Sequence, residues 1–273
     1  MTPPRLLALD FDGVVSDSAP ESFVVALRTC RALPDAPLPH VTPALVEGRC
    51  PRLEQVLASP AYGPFLDAMP LGNRAEDFGV VLRALAEGVP LESQADYDAQ
   101  LARHDPSWRD AFHECFYEER ARLRAEDEAG WLALMAPYGD FLALLRRRAG
   151  DIQFSIATAK DGRSVRALLG AYGALDLFPQ ALVVDKEAGR SKVAHLSLLS
   201  DRSGCDFSEI LFFDDKVNHL DAVADLGVGC ALATWGYNGP REEALARSRG
   251  HLVCHLTDVE AQIFGSSGVK ARP

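Results

Sequence analysis

Short apolar runs separated by helix-length stretches constrain this chain more than any other feature. The first, Leu6-Leu7-Ala8-Leu9, stops abruptly at Asp10-Phe11-Asp12-Gly13. Unbroken apolarity over so few residues, closed by a turn, is the pattern of a strand buried on both faces, as in a parallel sheet. Comparable runs recur at Ile152–Ala157, Ala181–Val184, Ile210–Phe213 and Val228–Leu232, with a weaker one at His251–Cys254. Between them lie helix-like stretches, Tyr138–Arg148, Gly162–Tyr172, Ser191–Ser200, Val217–Leu226 and Glu242–Arg249. Strand and helix alternate, so the expected fold class is α/β, a doubly wound parallel sheet with right-handed crossovers.

One interval breaks that rhythm. From Ala19 to Ala133 there is no convincing strand, only amphipathic segments at Glu21–Ala32, Pro43–Leu57, Arg74–Glu87, Ala95–Arg103 and Ser107–Ala125. Pro34, Pro37, Pro39, Pro60, Pro64, Pro70 and Pro90 punctuate them as helix boundaries. Such a block cannot sit inside the sheet. It is expected to form an inserted all-helical domain over residues 19–133, with a discontinuous α/β core made of 1–18 and 134–273. Within it, Arg120, Arg122 and Arg124 share a charged helix with Glu118 and Glu119 and read as a solvated face with i, i+4 pairs. The tail Gly265-Ser266-Ser267-Gly268 reads as frayed.

Bulk properties exclude some classes. A net charge of −11 and a pI near 5.1 are unsuited to a nucleic-acid-binding face, which needs clustered Lys and Arg. No apolar run approaches the roughly 20 residues that span a bilayer. The six cysteines form no C-x-x-C pair and follow no secretory leader, so buried thiols in a reducing cytoplasm are expected rather than a zinc cage or disulfide framework. Nothing in the sequence specifies an oligomeric state.

In open α/β sheets ligands bind at the carboxyl ends of the strands. Those ends carry Asp10 and Asp12 after the first run, Thr158 and then Lys160 after the second, and Asp214-Asp215 after Ile210–Phe213. Lys192 opens the helix-like stretch that precedes this last run. Each residue type has a chemical reason to be there. Oxygen-rich carboxylate sites suit Mg²⁺, which takes one or two carboxylates together with phosphate oxygens. Phosphoryl transfer needs an in-line nucleophile and neutralised oxygens, and an aspartate can be that nucleophile. Asp12, at a turn that Gly13 permits, is placed to protonate a leaving oxygen and later activate water. Thr158 can bond a phosphoryl oxygen, and Lys192 can offset the accumulated negative charge.

These residues resemble the haloacid dehalogenase-like superfamily, specifically its phosphoglycolate phosphatase and β-phosphoglucomutase-like members. Leu7-Ala8-Leu9-Asp10-Phe11-Asp12-Gly13-Val14 is similar to the first motif and Ile156-Ala157-Thr158-Ala159-Lys160 to the second. Lys192 matches the third and Phe212-Phe213-Asp214-Asp215 the fourth, while Pro137–Leu142 resembles the entry to the helix before the second motif. The resemblance implies a Rossmann-like core with an α-helical cap and a Mg²⁺ held by Asp10, Asp215 and the backbone carbonyl of Asp12, with Asp214 as a further metal-site residue. It implies a Mg²⁺-dependent hydrolase acting on a small phosphorylated molecule through an aspartyl-phosphate on Asp10. Lys160 and two cap residues in Glu47–Arg52, Arg49 and Arg52, are its candidate substrate contacts. Lys186 competes for the lysine role, which Lys192 suits better by its distance before the acidic pair and its place at a helix start.

The sequence departs from the pattern in one place. The usual Gly-Asp-x-x-x-Asp is replaced by Asp214-Asp215-Lys216-Val217-Asn218-His219, so the last acidic position lacks its carboxylate, and Asn218 and Asp221 are the candidate substitutes. A phosphomutase would carry the same motifs. A dehalogenase needs neither Asp12 nor a metal, and phosphonate cleavage in this family typically has Ala at the position of Asp12. A non-catalytic ligand-binding scaffold is the alternative from a different class. Trp235–Gly239 is a candidate loop at the active-site edge.

Overall fold

The computed structural model describes residues 4–33, 38–72, 74–189 and 191–265. Pro34, Pro37, Arg190 and the tail from Ser266 therefore lie outside the described residues. The chain divides into two compact units, Met1–Asp17 with Pro137–Pro273, and Ser18–Ala136.

In the first unit six parallel strands form one sheet: β1 (Leu6–Leu9), β4 (Gln153–Ala157), β5 (Val183–Val184), β6 (Ile210–Asp214), β7 (Gly229–Ala233) and β8 (Leu252–Cys254). Their order is β5-β4-β1-β6-β7-β8. Two short strands, β2 (Ser16–Asp17) and β3 (Ala136–Pro137), form a separate two-stranded ladder. The apolar runs become central strands because both faces are covered. Every residue of β1 and β6 is buried. One face places Leu6, Ala8, Ile210 and Phe212 against Leu196, Leu199, Leu220 and Val223. On the other, Phe213 packs on Phe141 and Trp235, with ring centroids 6.1 and 6.2 Å apart. β1 pairs with β4 and β6 in register, Leu9 opposite Ile156 and Phe213, so the three strands end at one level. That shared level gathers the polar residues that follow them.

Among the described residues the second unit contains eight α-helices: α1 (Ala19–Ala32), α2 (Pro43–Val46), α3 (Leu53–Leu57), α4 (Tyr62–Ala68), α5 (Ala75–Glu87), α6 (Gln94–Leu101), α7 (Pro106–Glu126) and α8 (Glu128–Ala133). No strand lies between Ala19 and Ala133 among the described residues. The single helix expected over Pro43–Leu57 is two, because Gly48 takes φ +68° and the extended Glu47 and Arg52 flank the break. Phe23, Phe65, Phe78 and Phe116 form an aromatic chain through the unit, with centroid spacings of 5.1, 5.6 and 6.0 Å. Gly79 lets α5 approach α7 closely: a Cβ there would lie 2.6 Å from the Phe112 ring.

Arg120 does not sit on a solvated face. It is buried, donates Nε and Nη2 to Glu21 at 2.7 and 2.8 Å, and shares that carboxylate with Trp131 Nε1 at 3.0 Å. The density of charge along this part of α7 suggests exposure, but the bidentate geometry with an acid 99 residues away satisfies the guanidinium in the interior. Arg122 and Arg124 do pair within one turn, with Glu119 and Glu128. Replacing Arg120 by Met leaves Glu21 charged and buried without its cation. The expected loss is about 3–5 kcal/mol in denaturant unfolding, most of it recovered in the E21L/R120M double variant. A loss below about 1 kcal/mol would show that this pair contributes no more than a surface bridge.

The remaining helices cover the sheet: α9 (Gly139–Arg148), α10 (Gly162–Ala171), α11 (Lys192–Ser203), α12 (Val217–Ala224), α13 (Pro240–Ser248) and α14 (Val259–Phe264). No helix among the described residues is long and apolar enough to cross a membrane. All six cysteines are unpaired thiols, four of them buried and Cys50 and Cys115 partly so.

Candidate active site

Lys192 organises the site. It opens α11, where Ser191 caps the helix through its hydroxyl on the Ala194 amide. An ammonium has three hydrogens, and the structure gives them three acceptors. Nζ lies 2.8 Å from Asp10 Oδ1, 3.1 Å from Asp214 Oδ2 and 2.8 Å from the carbonyl of Ala157. These acceptors stand at the ends of β1, β6 and β4, so one cation ties three strand ends together. Burial alone would lower the lysine's pKa, but Asp10 and Asp214 outweigh it and raise it to about 12. Lys186, the competing lysine, has its ammonium 3.7 Å from Glu187.

Three carboxylates share this region and their surroundings separate them. Burial raises the Asp10 carboxyl above its ordinary value, Lys192 opposes this, and Asp214 adds to it. Asp214 is fully buried, yet His219 and Lys192 together overcome the desolvation and hold it below the usual carboxylate range. Asp215 moves furthest upward: burial dominates, Lys216 opposes it, and Asp214 and Asp10 add repulsion. Its Oδ2 accepts the Tyr237 amide at 2.8 Å.

Asp215 lies between two glycines. A Cβ on Gly13, whose φ is +85°, would stand 2.5 Å from the Asp215 carboxyl carbon, and one on Gly236 would strike the Asp215 side chain and the Gly13 carbonyl. Side chains at either position would fill the space that brings the first motif's turn against this acid. The expected edge loop does border the site. Trp235 Nε1 donates to Val14 O at 3.0 Å, Asn238 Nδ2 to Asp215 O at 3.1 Å, and the Tyr237 hydroxyl lies 3.1 Å from Asp17 Oδ1.

Asp12, with a side chain about one-third exposed, is bonded through both oxygens to Lys160 Nζ at 3.0 and 3.3 Å. Lys160, a candidate substrate contact from sequence, is thus itself buried against the candidate acid/base. Thr158 is buried and accepts the Lys160 amide at 3.1 Å; its own O–H remains a donor. Arg49 and Arg52 are exposed residues of the helical unit, where the Arg49 carbonyl accepts from Arg28 and the Arg52 amide donates to Gln55 at the start of α3.

Neither candidate for the missing acid takes that place. Asn218 is exposed, and Asp221 binds His251 Nε2 at 2.8 Å. His219 is the neighbour of the site that the sequence pattern does not single out: its Nδ1 lies 3.0 Å from both oxygens of Asp214. The only signal was its place, five residues beyond the strand-end acid and in the first turn of the next helix. Asp10, Asp214 and His219 form a group whose potential metal-ligating atoms lie within 4.8 Å of one another.

Several solved structures share this architecture. One from Haemophilus somnus, described as a predicted phosphoglycolate phosphatase, is 19% identical with a TM-score of 0.59, covering 95% of this chain and 97% of that one. A predicted phosphatase from Clostridium acetobutylicum is 10% identical with a TM-score of 0.60, covering 96% and 99%. A haloacid dehalogenase-like family hydrolase from Streptococcus pneumoniae is 12% identical with a TM-score of 0.61, also covering 96% and 99%. At these identities the likeness speaks to fold alone. No curated sequence matches the chain. The model of the haloacid dehalogenase-like hydrolases matches residues 4–227, from before Asp10 to beyond α12. With that match spanning all four motifs, the chain belongs to the haloacid dehalogenase-like hydrolase family.

Proposed function

We propose that this protein is a Mg²⁺-dependent phosphatase hydrolysing a small-molecule phosphomonoester through an aspartyl-phosphate on Asp10, with Ser18–Ala136 as its cap domain. The observation that carries the reading is the pair of strand-end carboxylates with separate cations, Asp10 on Lys192 and Asp12 on Lys160. Displacement of a halide requires only the first. The match of the hydrolase family model over residues 4–227 supports hydrolysis as the reaction class.

Asp10 attacks phosphorus, so an Asp10 O–P bond forms as the bond to the leaving oxygen breaks. Asp12 gives its proton to that oxygen. Asp12, now a carboxylate, takes a proton from the water that attacks phosphorus, freeing inorganic phosphate and restoring Asp10. The Lys192 ammonium offsets the charge on the phosphoryl oxygens and the Thr158 hydroxyl donates to one of them, while Lys160 holds both oxygens of Asp12 in place.

The residues fit a hard cation. The donors are oxygens, and Asp215 is a desolvated carboxyl, its pKa pushed upward by burial, against which Gly13 and Gly236 pack closely. Asp10, Asp215 and the Asp12 carbonyl would hold Mg²⁺, which when bound offsets the charge on the phosphoryl oxygens. Because its folded-state pKa is raised, Asp215 adds stability that is complete below the ordinary carboxylate value and lost as pH rises through the elevated one. Metal-free D215N is therefore expected to melt at or above the wild-type temperature at neutral pH. Mg²⁺ at 100 times its dissociation constant should stabilise wild type by about 2.7 kcal/mol and leave D215N unmoved. Equal Mg²⁺ responses in both proteins would remove Asp215 from the cation site.

The direct test is phosphate release from a panel of sugar and two-carbon-acid phosphomonoesters, with Mg²⁺ and with chelator. Metal-dependent release from some members is expected. Isomerised sugar phosphate without free phosphate would make the protein a mutase, and no reaction with any ester would sink the proposal.

A further inference from the structure

The two acids of the fourth motif are not equivalent, and the difference lies in how many of their lone pairs are already taken. A carboxylate offers about four hydrogen-bond positions on two oxygens. On Asp214, Oδ1 accepts the Lys216 amide at 3.0 Å and His219 Nδ1 at 3.0 Å, while Oδ2 accepts His219 Nδ1 at 3.0 Å and Lys192 Nζ at 3.1 Å. Three protein donors engage the group, one of them, His219 Nδ1, shared between its two oxygens. Asp215 accepts one amide, from Tyr237, and otherwise borders Gly13 and Gly236.

Building on the phosphatase reading, we infer that Asp214 is not a metal ligand but a positioning residue for Lys192, and that His219 is the clamp that aims it. His219 stands in the first turn of α12, one turn after the strand-end acids, so a single imidazole reaches both oxygens of Asp214. Nδ1 must carry a hydrogen to make these bonds. The carboxylate is thereby fixed in rotation, with Oδ2 toward Lys192. Lys192 has no fourth hydrogen, so its direction is set by the Ala157 carbonyl, Asp214 and Asp10 together. Loosening Asp214 lets the ammonium drift from Asp10, where phosphoryl charge develops. The chain thus compensates its departure from the usual motif: the position that lacks a carboxylate supplies a donor, and the extra carboxylate receives it.

The competing arrangement is a cation held by Asp10, Asp214 and His219, whose ligating atoms lie within 4.8 Å of one another. Such a cation would share Asp10 and Asp214 with the Lys192 ammonium. The two arrangements predict different metal behaviour. Mg²⁺ is titrated into wild type, D214N, D215N and H219A, with melting temperature as a readout that needs no substrate. The inference expects midpoints for D214N and H219A within about twofold of wild type and no response in D215N. It also expects kcat for D214N and H219A to fall about 10- to 100-fold at nearly unchanged KM, with H219N, which keeps an N–H donor near the Nδ1 position, recovering most of the H219A loss. In metal-free wild type, ¹⁵N shifts of His219 should report a hydrogen on Nδ1.

Loss of the Mg²⁺ response in D214N or H219A would overturn the assignment in favour of the competing site. So would H219A turning over at the wild-type rate, or H219N no faster than H219A. The H219A comparison stands whether or not D214N folds. Wild type that responds to Mg²⁺ yet cleaves no phosphomonoester would sink the phosphatase reading, while the metal titrations would still decide how Asp214 and Asp215 divide their roles. Wild type with no Mg²⁺ response would overturn both.

Discussion

Asp10→Asn should abolish phosphate release while leaving the fold intact or slightly steadier. Loss of a covalent nucleophile costs on the order of 10⁴-fold or more in turnover, because binding and electrostatic stabilisation alone survive. The stability prediction runs the other way for a physical reason. Asp10 is buried, and its desolvation, with Asp214 nearby, raises its carboxyl despite Lys192. An amide of the same shape can still accept from Lys192 through its oxygen and no longer carries the desolvated charge. The measurement pairs single-turnover phosphate release with a thermal melt in chelator. Inactivity with an unchanged or higher melting temperature assigns the loss to chemistry. Wild-type turnover in D10N would end the nucleophile assignment, and a large drop in melting temperature would show the carboxylate to be structural.

Lys192→Met should damage both activity and stability, and it is the largest stability effect expected in the core. The substitution removes an ammonium that satisfies Asp10, Asp214 and the Ala157 carbonyl, leaving buried acids without their cation. Breaking a buried ion pair from one side costs about 3–5 kcal/mol. For a domain of this size each kcal/mol shifts the melting temperature by about 2–4 °C, so a fall of roughly 6–20 °C is expected. Because the lysine's pKa is raised to about 12, its contribution is complete across the neutral range and lost only as pH climbs through that value. Arg at this position is not expected to rescue, since a planar guanidinium cannot point three hydrogens at three convergent strand ends. Mg²⁺ should recover part of the lost stability by neutralising the acids. K192M melting with wild type would show that the three contacts do not hold the strand ends.

Much of the core was legible because burial on both faces leaves a direct mark on a sequence. Leu6–Leu9 and Ile210–Phe213 are apolar at consecutive positions, and parallel pairing is the arrangement that hides both faces of such a run. The positions of Asp10, Asp12, Thr158 and Asp214-Asp215 followed from reading what comes next after each strand, and that of Lys192 from the start of the helix before the last of them. The helical unit was less legible. Its segments were found, but Pro43–Leu57 broke at a glycine whose positive φ depends on the surrounding packing. Arg120 also looked solvated, because its partner Glu21 lies on another helix.

Sequence alone determined the reaction class to be sought: a nucleophilic aspartate, a second acid two residues on, and later strand ends bearing a hydroxyl and two carboxylates. Local order suffices there, because a strand's end places its next residue at the sheet edge whatever else the chain does. Only the tertiary structure decided what each group faces. Lys160 turned to Asp12, Asp221 to His251, and His219 to Asp214. These pairings join residues across different strands and helices. Their geometry depends on register, rotamer and desolvation, none of which a linear pattern records.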